Sequence, residues 1–350
     1  MEKSFSKSAI LTAVIVGTFV LGYEFYLRTQ GIKPDYDNSP ALWANARAKV
    51  YELKSKAVVF IGSSRIKYDL DIPTWQNATG TQAIQLAIEG STPRTVLTDL
   101  ANDEKFKGRL VVDVTERIFF SSIPFFFGKP EKDIKYFHQH TPAQQAGFYI
   151  NNVLESQLAI LDQENLSLNA QLDALQISSR KGVFMMPIFP ADFGRNTFNR
   201  QSFMANSFLI DTAKQNQVKN IWGFMSKVMQ GPPITDAQLN TIMELVKKDV
   251  AKITARGGEV LFVRTPCSGL ALGELKSFPR EKFWDKLLSV TNCKGVFFLD
   301  YPAIDHFICP EFSHLDLSGA KIYTENLVEI LANEKGWKFN EPIITVSETK

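Results

Sequence analysis

Val58-Val59-Phe60-Ile61-Gly62-Ser63-Ser64-Arg65 is the stretch on which the fold turns. Four consecutive apolar residues that run straight into glycine and serine read as a strand buried on both faces, as in a parallel sheet. Ligands of open parallel sheets bind just beyond the carboxyl ends of the strands. Gly62 permits a sharp turn there, so Ser63 or Ser64 would be presented at the sheet edge. A nucleophilic serine belongs in that place. A Ser-rich turn that merely caps a helix has the same sequence, and the octet alone does not separate the two.

The pattern repeats on either side. Ser39-Pro40 is a helix start, and Leu42, Trp43, Ala46, Val50 and Leu53 recur at helical spacing, so a helix leads into the first strand. Residues 82–89 read as a second strand ending at Gly90-Ser91. Thr92-Pro93 then begins a helix carrying Val96, Leu97 and Leu100. Residues 109–114 form a third strand ending at Thr115-Glu116. The alternation stops at Arg117 and resumes with a capping box, Thr235-Asp236-Ala237-Gln238, which opens a helix with Leu239, Ile242, Met243, Val246, Val250 and Ile253 on one face. Residues 259–264 and 295–300 supply strands four and five, and a last helix follows His314 with Asp316 as its N-cap. The expected fold is α/β, a five-stranded parallel doubly wound sheet of flavodoxin-like order, with a large, mostly helical insertion after the third strand.

The boundaries follow. Residues 1–27 form a cytoplasmic tip and an apolar helix, 28–56 a stalk and lead-in helix, 57–116 and 235–335 the two halves of the α/β domain, 117–234 the insertion, and 336–350 a tail. Lys3 and Lys7 precede an apolar run from Ala9 to Tyr26 that only Glu24 interrupts. That length is near the lower limit for a spanning helix. A cleaved signal peptide would have small residues after its apolar core, whereas Tyr23-Glu24-Phe25-Tyr26-Leu27 is bulky. The run therefore reads as an uncleaved signal anchor with its lysines in the cytoplasm and the main domain outside. Cys267, Cys293 and Cys309 are compatible with an oxidising compartment and one local disulfide of unread pairing. They lack C-x-x-C spacing, so no metal centre is expected. A net charge of +2, with dispersed basic residues, gives no reason to expect nucleic acid. No G-x-G-x-x-G or P-loop follows any strand, so no nucleotide cofactor is expected.

Phenylalanine is concentrated in the insertion. Phe119-Phe120, Phe125-Phe126-Phe127 and the pieces from Phe184 to Phe193 are expected to build its own core; lining an acyl pocket or touching a membrane is the other reading. Leu154, Leu161, Leu168 and Leu175 are seven apart, with Glu164 and Asn165 interrupting the companion positions. An amphipathic helix packed within the insertion is expected there rather than a coiled coil.

A serine nucleophile needs a base, and the base needs an orienting group. The chain has four histidines. His138 and His140 lie in the insertion and are expected in solvent. His306 follows the fifth strand and is a reserve candidate. His314 lies just before the last helix, on the same sheet edge as Ser64, within Glu311-Phe312-Ser313-His314-Leu315-Asp316. Arg65, Arg117 and Arg264 fall at strand ends, where each either binds an anionic substrate group or neutralises Glu116 and Asp113.

On these residues the chain resembles the SGNH/GDSL hydrolase superfamily. Gly62-Ser63-Ser64 is similar to its Gly-Asp-Ser block with Ser in place of Asp, which makes Ser64 the nucleophile. Gly90 resembles the second-block glycine, whose N–H helps hold the oxyanion. Glu311-x-x-His314-Leu315 resembles the Asp-x-x-His block with Glu in place of Asp. The third-block asparagine is absent, since Asp113-Val114-Thr115-Glu116-Arg117 stands there, leaving the backbone N–H groups of Ser64, Gly90 and Thr115 to stabilise the oxyanion. The resemblance implies a serine esterase or O-acyltransferase, extracytoplasmic and membrane-anchored, with an acyl-Ser64 intermediate, His314 as base and Glu311 as its orienting group. Membrane-anchored members that modify cell-envelope glycans imply an acylated glycan as substrate and a multi-spanning membrane acyltransferase as partner. A catalytically degraded domain that binds glycan or holds such a partner is the alternative.

Overall fold

The computed structural model describes residues 2–52, 57–175, 187–229, 231 and 233–339, which form two compact units. The larger comprises residues 39–140 together with the chain from 189 onward. Its centre is a five-stranded, all-parallel sheet: β1 (Ala57–Ile61), β2 (Gln82–Gln85), β3 (Arg109–Asp113), β4 (Glu259–Arg264) and β5 (Lys294–Phe297), in spatial order β2-β1-β3-β4-β5. The chain reverses its direction of travel across the sheet between β1 and β3, the switch point at which such sheets bind ligands. Val58, Val59, Phe60 and Ile61 are all buried, as are residues 110–113 of β3 and 260–264 of β4, because helices cover both faces.

The flanking helices follow their caps. The Thr235 capping box is formed, with Thr235 Oγ1 receiving the Gln238 N–H and Gln238 reaching back to Thr235 N–H, and starts the helix Asp236–Ala255. Asp316 Oδ1 accepts the Gly319 N–H at 2.7 Å and starts the last helix, Leu317–Asn333. Two strands are shorter than expected. β2 ends at Gln85, yet Leu86 N–H and Ile88 N–H still donate to Phe60 and Gly62 carbonyls, so residues 86–88 track β1 without ladder geometry. The fifth strand turns into a 3-10 helix at Phe298–Asp300.

The smaller unit comprises residues 1–38 and 141–188. Its N-terminal helix, Glu2–Thr29, contains an apolar span, Phe5–Thr29, long and apolar enough to cross a membrane or to serve as a signal sequence. The end of that helix is tied into the unit. The Glu24 carboxylate accepts the N–H groups of Ala159 and Ile160 at 3.0 and 2.9 Å and pairs with Arg28. Arg28 donates to the Gln157 carbonyl, and Leu27 is buried.

The region 117–234 is thus shared between two units. Phe119 and Phe120 belong to the core of the sheet, whereas Phe193, with Phe189 packed beside it, joins Met204, Phe208, Val218 and Tyr68 in a small separate cluster, so only the later phenylalanines build a core of the insertion's own. Leu154, Leu161 and Leu168 fall on three elements, Pro142–Glu155, Ala159–Leu161 and Leu168–Ala174, with Leu175 capping the last; no continuous helix joins them. Leu53, Phe184 and residues 340–350 lie outside the described residues.

Candidate active site

Gly62 ends β1 where there is no room for a side chain. A Cβ there would lie 2.5 Å from Ile66 Cγ2 and 2.7 Å from Asp113 Cβ, so only glycine lets the chain pass the end of β3. The two serines that follow part company. Ser63 is buried, with its Oγ 3.1 Å from Thr115 Oγ1, and the Thr115 hydroxyl in turn donates to Asp113 Oδ2 at 3.3 Å. Ser63 therefore ties β1 to β3. Ser64 opens the short helix Ser64–Asp69 and is partly exposed, although Arg65, Ile66, Lys67, Tyr68 and Asp69 after it are all buried. It is the serine a solvent-borne substrate can reach.

The loop before the last helix brings His314 to it. His314 Nε2 lies 2.8 Å from Ser64 Oγ, and His314 Nδ1 lies 2.9 Å from Glu311 Oε1. The same carboxylate oxygen accepts the backbone N–H of His314 at 2.6 Å and of Ser313 at 3.2 Å, while Oε2 accepts the indole N–H of Trp222. Burial pushes the Glu311 carboxyl up. The His314 charge and the hydrogen bonds from His314 and Trp222 outweigh this and hold it below its ordinary value. An ionised Glu311 can only accept, so in the neutral imidazole the proton sits on Nδ1 and Nε2 offers its lone pair to the Ser64 hydroxyl, while in the charged form Glu311 still holds Nδ1–H. Tyr68, Phe193 and Trp222 surround the imidazole at ring-centroid distances of 4.5, 5.8 and 6.0 Å, and His314 is buried.

The loop is held in a demanding conformation. Phe312, between Glu311 and Ser313, has φ +81°, a value L side chains rarely adopt. Ser268 fixes it: Ser268 N–H donates to the Phe312 carbonyl at 2.8 Å, and Ser268 Oγ accepts the Cys309 N–H at 3.0 Å. On the other side of His314, Leu315 N–H donates to Asp69 Oδ1 at 2.9 Å, which joins this loop to the helix that begins at Ser64.

The remaining expected residues divide. Gly90, at φ +60°, is exposed in the turn after residues 86–88, which run alongside β1 past Gly62. The Thr115 side chain is buried and engaged with Ser63 and Asp113. The charged residues at the strand ends pair with one another. Arg264 Nε is 3.0 Å from both Glu116 oxygens, Arg65 Nη2 is 2.9 Å from Glu274 Oε2, and Arg117 Nε is 3.7 Å from Glu274 Oε1. Burial works against the Arg65 charge, but Glu274 and its neighbours outweigh it and raise the group above its ordinary value. His306 is exposed and contacts only its own loop, the Pro302 carbonyl at 2.9 Å and Asp305 at 3.4 Å. His138 pairs with Asp99, and His140 with backbone carbonyls of its own helix. The three cysteines are free, so the disulfide entertained from their spacing is not formed. Among the described residues no group of three His, Cys, Asp or Glu side chains is arranged to hold a metal.

Trp222, from the helix Thr212–Val228, and Glu274 escape sequence reasoning. Each lies far along the chain from its partner, and nothing near either residue signals the pairing. No family model matches the sequence, and no curated protein matches it.

Proposed function

We propose that this chain is an SGNH-type serine esterase or O-acyltransferase that works through an acyl-Ser64 intermediate, on a flavodoxin-like sheet. The observation that carries this reading is the line Ser64 Oγ, His314 Nε2, His314 Nδ1, Glu311 Oε1, closed at both steps by hydrogen bonds of 2.8 and 2.9 Å. Ser64 Oγ attacks the acyl carbonyl as its proton passes to His314 Nε2. Glu311 holds the imidazolium and its tautomer. The backbone N–H groups of Ser64 and Gly90 are the expected donors to the oxyanion. Collapse breaks the bond to the leaving alkoxide, which takes the proton back from His314. Water or a sugar hydroxyl, deprotonated by the same nitrogen, then releases the acyl group from Ser64.

The aromatic residues packed over His314, and the partial exposure of Ser64, favour a short acyl group such as acetyl on a bulky acceptor. A cell-envelope or exported glycan fits that description, with a multi-spanning membrane acyltransferase as partner. Retention of the N-terminal helix as an anchor is supported by Glu24, Leu27 and Arg28. Cleavage after the apolar run would strip the Ala159 and Ile160 N–H groups of their acceptor. Lys3 and Lys7, basic residues ahead of the apolar run, support an extracytoplasmic, periplasmic location for the catalytic unit.

One observation favours the second reading, a glycan-binding or accessory domain without turnover: the Thr115 hydroxyl, at the position where the family has its asparagine donor, is already bound to Ser63 and Asp113. Acetate release from an O-acetylated glycan by the full chain in lipid nanodiscs tests both. Turnover that Ser64→Ala abolishes supports the enzyme. Saturable glycan binding, unchanged by Ser64→Ala and without acetate release, supports the accessory domain.

A further inference from the structure

The helix Pro142–Glu155 is amphipathic the wrong way round for a helix in water. Its one buried residue is Glu155, to which Asn151 donates, whereas Tyr149, Ile150, Val153 and Leu154 are 53, 66, 63 and 44 % exposed. These four recur at the spacing of one helical face. A later helix of the same unit, Leu168–Ala174, repeats the feature, with Leu168 and Leu172 exposed and Leu175 at its end. Exposed apolar side chains grouped in this way mark an interaction surface.

The connection between the two helices says what that surface meets. The turn Ala159–Leu161 hangs from Glu24 through two backbone N–H groups, and Arg28, one helical turn on, holds the Gln157 carbonyl. Glu24 is five residues from the end of the apolar span, so at 1.5 Å per residue the turn is fastened within about 8 Å of that end. An interfacial helix lies with its apolar face roughly 5–10 Å into the boundary between headgroups and acyl chains. The fastening therefore delivers the inverted helix at that depth, beside Tyr23 and Tyr26, residues of the type that favours the interface.

We propose that the Tyr149, Ile150, Val153 and Leu154 face lies in the headgroup–acyl boundary of the bilayer crossed by the N-terminal helix, making residues 141–175 a monotopic membrane element. This rests on the reading of that helix as a retained anchor. The segment contains no lysine or arginine and carries Glu155, Asp162, Glu164 and Asp173. Attraction to anionic headgroups is thus absent, and apolar insertion into a zwitterionic bilayer is what the composition fits.

The test uses the full chain reconstituted in phosphatidylcholine vesicles with brominated acyl chains, with Ile150→Trp and Val153→Trp as reporters and Gln144→Trp, on the opposite face of the helix, as control. The wild-type emission of the five native tryptophans is subtracted. The expected result is that the extra emission of both reporters is blue-shifted and falls by more than half on bromination, while the control responds only to aqueous iodide. Reporters quenched by iodide but not by bromine overturn the proposal, as do reporters shielded from both, since a protein partner or second copy would then cover the face. Intact mass separates the failures. A chain lacking its N-terminal run loses the anchor and the proposal with it; an intact chain without bromine quenching loses the proposal alone.

Discussion

Two carboxylate networks lie at the carboxyl edge of the sheet, built from the same kinds of group, and they end differently. In one, Glu311 spends Oε1 on His314 and Oε2 on Trp222, and the remaining imidazole nitrogen reaches a partly exposed hydroxyl. In the other, Glu116 and Glu274 are answered by Arg264, Arg65 and Arg117, and the charges close on one another. Guanidinium groups keep their protons, so the second network can only hold the strand ends together. Imidazole can give its proton up. Arg65 follows Ser64 in the chain but belongs to the closed network: its Nε bonds Ser313 and its Nη2 bonds Glu274, which anchors the loop that carries His314.

The sharpest way to break the contrast is to remove the charge that orients His314. Glu311→Gln keeps the shape, but the amide no longer holds the Nδ1–H tautomer. Turnover should fall about 10³- to 10⁴-fold, read as kcat at saturating substrate. Its stability should also change with pH in a defined direction. Folding lowers the Glu311 pKa below 4.5, so the stability this carboxylate contributes is complete above pH 4.5 and is lost as pH falls through the lowered value. Urea unfolding near neutrality and below pH 4.5 should show the gap between wild type and Glu311→Gln closing in acid.

The closed network should respond in the opposite sense. Glu116→Ala leaves Arg264 buried without its carboxylate and should cost about 3–5 kcal/mol of stability. The protein that remains folded should react with an ester substrate at nearly the wild-type rate. Trp222→Phe is the mildest change. It removes one hydrogen bond to a charged group, worth about 1.5–3 kcal/mol, and should lower kcat roughly tenfold or somewhat more, with KM little changed.

The sheet is readable in the sequence because parallel strands buried on both faces leave unbroken apolar runs, as four of the five do here, while β2, at the edge of the sheet, is interrupted by Gln85. Ser64 stands three residues after the first of these runs, and Glu311 and His314 stand just before the last helix, so their places at the sheet edge are legible as well. The choice between Ser63 and Ser64 needed more: burial and a bond to Thr115 mark Ser63 as structural. Trp222 was out of reach, because apolar periodicity identifies a helix face but not the carboxylate it meets. The same limit explains residues 141–175. Their leucines signal amphipathic helices, while the attachment to Glu24 depends on a contact 135 residues away in sequence.

The central claim is that Ser64 is a nucleophile activated by His314. A fluorophosphonate probe tests it most directly, because it reacts only with an activated serine and needs no knowledge of the substrate. Stoichiometric labelling of the folded wild-type chain on Ser64, located by peptide mass, is expected, with none of Ser64→Ala or His314→Ala at equal folded content. Absence of labelling in correctly folded wild type, at any pH from about 6 to 9 where an imidazole base turns neutral, would contradict it, as would labelling that survives in Ser64→Ala.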